Sequence, residues 1–154
     1  MSISALLLAL AMTSEPSHQQ VAEAVSEAKE AAGRYADCAG FWDYMASTEA
    51  AAGRPSAAEQ LRNIGNGAQT AALWLHAQAH ILEGGSPVRY GTWLPIITPR
   101  REAAALRASA LAERADADWM RNEGERCQAL LQGQQQAIDA IRSDAVQRSI
   151  DAQN

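Results

Sequence analysis

One lysine, Lys29, stands beside twelve arginines, and one phenylalanine, Phe41, is the only Phe in a chain of 154 residues. Large core side chains are therefore scarce, and any core has to be filled with something smaller. Positive charge is in deficit: Lys and Arg number 13 against 18 Asp and Glu, a net −5 that argues against a general affinity for nucleic acid. The two cysteines form no C-x-x-C pair, no C-x-x-C-H and no zinc spacing, which removes dithiol redox chemistry, c-type haem and structural zinc. No G-x-S-x-G elbow, P-loop or H-E-x-x-H occurs, and no spacing unites Ser, His and a carboxylate on a helical scaffold. The chain reads as a non-enzyme without a cofactor.

Long apolar runs are missing too. Residues 3–12, Ile-Ser-Ala-Leu-Leu-Leu-Ala-Leu-Ala-Met, are uncharged but cover about half of the roughly 20 residues a membrane-crossing helix requires, so no permanent membrane span is expected. The run matches the apolar region of a secretory signal peptide, with Ala9-Leu10-Ala11 as a cleavage candidate, although no Lys or Arg precedes it. Residues 1–14 are accordingly expected to be a signal peptide or else an apolar N-terminal arm, with 15–154 as a single domain. A signal peptide puts the mature protein in the periplasm or outside the cell; without one it stays in the cytoplasm. No Cys follows the run, so a lipoprotein is excluded.

What is abundant is alanine, which favours helix and lets helices approach closely while filling little volume. From Ser17 onward Val21, Val25, Ala28, Ala32, Tyr35, Ala39, Trp42 and Ala46 recur at alternating spacings of four and three, the seam of a long amphipathic helix. Gly53-Arg54-Pro55 ends it. Ser56-Ala-Ala-Glu59 fits a capping box for a second helix, whose seam runs Leu61, Ile64, Ala68, Ala71, Leu75, Gln78 or Ala79, and Leu82 up to Gly84-Gly85. A third seam begins after Thr98-Pro99, taken as cap and first helical residue, and runs Ala103, Leu106, Ala110, Glu113, Ala117, Met120, Gly124, Cys127, Leu131, Gln134, Ile138, Ile141 and Ala145. Gly124 and Gly133 are its expected break points. The fold class follows: all-α, an up-and-down bundle of three to four long Ala-rich helices with one long Pro/Gly loop.

That loop, residues 84–99, carries three prolines and three glycines, a density read as incompatible with regular helix. Tyr90, Trp93, Leu94, Ile96 and Ile97 lie within it. They either fold back to cap an Ala-rich bundle or stay exposed and anchor a partner.

Cys38 and Cys127 are expected to form a disulfide, since an even count accompanies an export-like start. The second helix reverses direction between them, so the helices bearing them should run parallel and set the thiols at similar heights. Phe41, Trp42 and Tyr44 then pack around the bridge. In general style this Cys-Ala-x-aromatic stretch resembles exported helical proteins of bacteria, a likeness from which no function is carried over.

His76 and His80 are four apart on one helical face and Glu83 extends the stripe, an arrangement that can present ligands to one metal ion. The order is the reverse of the Glu-x-x-His of di-iron bundles and occurs once, beside the apolar seam rather than on it. Arg100-Arg101 opens a helix where the dipole disfavours positive charge, and is expected to be a solvated, locally paired face. Asp116 and Asp118 are read in the same way. Together these observations point to an exported, non-catalytic helical protein that binds a protein or cell-envelope partner, with inhibitor and immunity types among the candidates. The alternative is a periplasmic bundle that binds a metal or small ligand through His76, His80 and Glu83.

Overall fold

A computed structural model describes residues 16–152. The expected signal peptide or N-terminal arm at 1–14 lies outside the described residues. Within them the chain is all-helical: α1 (His18–Ala51), α2 (Pro55–Leu82), a 3-10 turn (Tyr90–Trp93), α3 (Leu94–Glu113), α4 (Ala117–Ala129) and α5 (Leu131–Asp151). No helix among them is long and apolar enough to cross a membrane.

Helix α1 is the central element. Its entry is fixed by a reciprocal cap, in which the Gln20 N–H donates to Ser17 Oγ at 3.3 Å and the Ser17 N–H donates to Gln20 Oε1 at 2.9 Å. The seam read from the sequence is the buried one from Val25 to Ala46. Around its middle, however, burial is nearly complete on every side, from Ala31 to Trp42 with only Arg34 exposed. Other helices cover it all round, which explains why its residues are so small.

Helix α2 runs back along α1. Gly65 lies against Ala39 and Trp42, and Lys29 Nζ meets Glu83 Oε1 at 2.6 Å. The start of α2 differs from expectation: Pro55 is already helical, Arg54 is the cap residue without a side-chain bond, and Ser56 lies inside the helix. Proline suits the first helical position because its fixed φ is already helical and its missing N–H would have had no partner there. The Arg54 guanidinium folds back onto Glu49 instead.

Helix α3 runs parallel to α1, and two guanidinium–carboxylate pairs hold it there. Arg100 donates to Asp37 through Nε and Nη2, both at 2.8 Å. Arg101 donates to Asp43 through Nε and Nη2, both at 2.6 Å, and reaches Gln69 and Asn66 on α2 as well. The arginine pair is therefore an interhelical tie, not the solvated face expected. Between the ties the backbones nearly touch: a Cβ at Gly40 would lie 2.0 Å from the Arg101 carbonyl oxygen and 2.8 Å from Ala104 Cβ. Only glycine permits that approach.

The ties also fix the rotation of α3, and here the seam reading is corrected. Ile97, Ala104 and Ala108 face the core, whereas Ala103, Leu106 and Ala110 face outward. The predicted start is corrected as well, because α3 begins at Leu94 and not after Thr98. Pro95 stands in the first turn, where no hydrogen bond is lost, and Pro99 forfeits a single one.

The chain then breaks at Ala115, whose φ is 55°, with Asp116 Oδ1 accepting from the Trp119 N–H at 2.9 Å to cap α4. A second break falls at Leu130. Gly124 and Gly133, the expected break points, lie inside helices facing Phe41 and Tyr35. After Ala115 the chain runs antiparallel to α1: Trp119 and Gly124 meet Phe41, Cys127 meets Cys38, and the Tyr35 hydroxyl donates to the Leu130 carbonyl at 3.2 Å. The reset in phase turns the seam inward, so Cys127 is buried and Met120, Leu131, Ile138 and Ile141 are half-buried.

Candidate functional site

Two places combine chemistry-bearing side chains with a defined geometry: the connection between α2 and α3, and the cysteine pair at the centre of α1.

The connection starts at Gly84, whose φ of 85° ends α2. Trp93, the last residue of the 3-10 turn, lays its indole against the two histidines of α2. The His76 ring stacks on it with centroids 5.7 Å apart and planes 18° apart, and the His80 ring leans on it at 5.4 Å and 58°. The His80 ring also lies against Gly85. The one-face spacing of the histidines is thus used to seat a tryptophan. Glu83 takes no part in this cluster and pairs with Lys29. Burial, with the Lys29 charge adding to it, lowers the His76 pKa, so the stacked imidazole is the neutral form at neutral pH. The Trp93 Nε1 is buried without a hydrogen-bond partner, as is that of Trp74.

His76, His80 and Glu83 do not form a ligand set. Among the described residues, the group of three potential ligand atoms found within 4.8 Å of one another is Cys38, Glu123 and Cys127. Its two sulfurs are at bonding distance from each other, which leaves a lone carboxylate.

The five apolar residues of the connection go to four destinations. Ile97 is 1 % exposed and belongs to the core with Ala32, Tyr35 and Leu75. Trp93 is half-buried on the histidines. Tyr90 is half-buried in a cleft of about 560 Å³ between α2 and α5, which Ile81, Val88, Asp144 and Arg148 also line. Burial raises the Tyr90 hydroxyl pKa and the Asp144 charge adds to that, with Arg148 opposing both. Leu94 and Ile96 remain exposed, at 39 % and 53 %. The sequence reading missed Ile81 and Val88, exposed at 43 % and 41 % on the cleft rim. A usable signal for Ile81 was its position one residue off the Leu75–Leu82 seam.

At the second place, Cys38 and Cys127 have their sulfurs 2.04 Å apart, at disulfide distance, with Cα atoms 5.3 Å apart. Each is 1 % exposed. The helices bearing them are antiparallel, so the parallel geometry expected for the pair is wrong although the partners are the expected ones. Phe41 packs edge-on against Trp42 at 5.2 Å and against Trp119 at 6.4 Å. Beside these rings opens an apolar recess of about 710 Å³ lined by Phe41, Trp42, Met45 and Met120.

Neither place assembles a nucleophile with a base, or converging donors for an oxyanion, among the described residues. Compared with protein-family models, with curated proteins and with solved structures, the chain matches none.

Proposed function

We propose that this chain is a non-catalytic interaction protein, exported to the periplasm or secreted, that binds a protein or cell-envelope partner through the cleft between α2 and α5. On this reading it is an up-and-down, alanine-rich bundle stapled by a Cys38–Cys127 disulfide, with the Pro/Gly-rich connection after α2 as its contact element. The observation that carries the proposal is the cleft itself. Ile81 and Val88 stand on its rim at more than two-fifths exposure, Tyr90 presents a half-buried ring, and Asp144 and Arg148 supply one charge of each sign. An apolar floor with a charged margin is how protein-recognition surfaces are commonly composed. The Trp93–His76–His80 cluster holds the segment in place from behind, so contact would order little new chain. The metal-binding alternative is the weaker reading, because Glu83 pairs with Lys29 rather than joining the imidazoles.

The test is site-specific photo-crosslinking in the native host, with the reactive side chain placed at Val88 and, as a control, at exposed Gln60 of α2. One discrete adduct from position 88, absent from position 60 and lost when Ile81→Asp is added, is the expected result. Equal patterns from both positions, or an adduct indifferent to Ile81→Asp, would overturn the proposal.

A further inference from the structure

Helix α3 carries two apolar faces, and the bundle uses one. The inner face is Ile97, Ala104 and Ala108, at 1 %, 6 % and 0 % exposure. The outer face is Ile96, Pro99, Ala103, Leu106 and Ala110, all exposed and spaced three, four, three and four apart. That spacing is the 3.5-residue repeat of a two-stranded coiled-coil seam. Leu106, at 73 %, is the most exposed of the large apolar side chains among the described residues. Among the described residues no second helix lies over it.

The charges beside this seam specify what fits it. With Ile96, Ala103 and Ala110 as one set of core positions and Pro99 and Leu106 as the other, the flanking positions hold Glu102 on one side and Arg100, Arg107 and Arg114 on the other. Arg100 is committed to Asp37. Glu102 and Arg107 have no hydrogen bond or ion pair among the described residues. They cannot reach each other within one helix, because residues five apart do not share a face. Across a parallel two-stranded seam, a flanking residue meets the residue five further on in the partner strand, so Glu102 of one copy faces Arg107 of the other, twice by symmetry. An antiparallel pairing would instead oppose the arginine-bearing edges to each other.

We propose that the outer face of α3 is a self-association surface on which two copies of this chain pair through a parallel, two-fold symmetric seam. Leu106 and Ile96 supply its large side chains, Ala103 and Ala110 allow close approach, and two Glu102–Arg107 contacts set its direction. The seam from Ile96 to Ala110 is about 21 Å long at 1.5 Å per residue, which makes a weak, concentration-dependent dimer the expected species. The surface lies apart from the cleft between α2 and α5, so the two proposals stand or fall separately.

Sedimentation velocity on the full chain over a concentration series tests this, with urea unfolding as a check on folding. The wild type should shift from monomer to dimer with concentration. Leu106→Glu should stay monomeric at every concentration with an unchanged urea midpoint. Glu102→Arg and Arg107→Glu should each weaken the dimer at least tenfold, and the double variant, with the two charges exchanged, should recover it. A wild type that is monomeric throughout overturns the proposal. If Leu106→Glu also lowers the urea midpoint of that monomer, the apolar segment 3–12 of the same chain is the cover instead. A dimer that survives Leu106→Glu, or single charge variants that the exchange fails to rescue, overturns it equally.

Discussion

Arg101 grips Asp43 with two nitrogens on two oxygens, each at 2.6 Å, and so joins α3 to α1 across 58 positions of sequence. Its side chain is 15 % exposed and that of Asp43 31 %. The neighbouring Arg100–Asp37 pair has the same two-pronged geometry, but there the arginine side chain is 50 % exposed and the carboxylate side chain only 11 %. Shielding from water should therefore separate two chemically identical ties. Arg100→Ala strands the more deeply buried carboxylate, Asp37, and is expected to cost about 2–3 kcal/mol, while Arg101→Ala strands the better hydrated Asp43 and costs about 1–2 kcal/mol. Urea unfolding of the two variants measures the difference, and the reverse ranking would refute it.

The close approach at Gly40 gives a second outcome. Alanine would ordinarily stabilise a helix interior by about 1 kcal/mol over glycine. Here the added methyl meets the Arg101 carbonyl, a backbone atom that cannot swing away, so α1 and α3 must separate. Gly40→Ala should destabilise by a net 1–2 kcal/mol or so, since overpacking of this kind costs about 1–3 kcal/mol. A variant as stable as the parent would show that the two helices are free to shift.

The cysteine pair predicts a mass and a stability. Protein recovered from an oxidising compartment should take up no alkylating agent without prior reduction and two equivalents after it. Closing a loop of 89 residues can contribute up to about 4–5 kcal/mol by the chain-entropy estimate, so Cys38→Ala/Cys127→Ala should lose several kcal/mol. Two freely alkylated thiols in such material would remove the staple and the case for export together.

His76 makes stability depend on pH. Its folded pKa is lowered, by burial first and by Lys29 second, so the unfolded chain takes up the proton earlier as pH drops. The contribution of the neutral ring is complete above the unfolded value of about 6.5 and is lost as pH falls from there toward the lower folded value. His76→Gln should flatten that part of the stability curve, read as urea midpoints across a pH series. An unchanged slope would assign the dependence elsewhere.

How far the sequence carried the fold can be judged residue by residue. The seams of α1 and α2 were legible because one face of each helix concentrates the larger side chains, such as Tyr35, Trp42 and Leu75. The face of α3 was not. Ile96 and Ile97 are adjacent and alanine falls on every side of the helix, so period alone cannot choose between them; the choice is made by Arg100 and Arg101 finding Asp37 and Asp43. The break at Ala115 escaped notice because a non-glycine residue adopts positive φ there, while the glycines that looked like breaks serve to admit Phe41 and Tyr35. At the α2–α3 connection the apolar residues were visible and their four separate destinations were not, because these depend on which helix each one meets.

Cys127 leaves the ribosome 89 residues after Cys38. By then α1, α2 and α3 have all been made, and Cys38 has had no thiol to join. Oxidation of the pair therefore has to wait until α1, α2 and α3 are all in hand, and the glycine contacts and guanidinium ties are available to set their register without sulfur. Any bridge is then a late latch, one that ties the C-terminal arm of α4 and α5 to α1 after every helix of the body has been made.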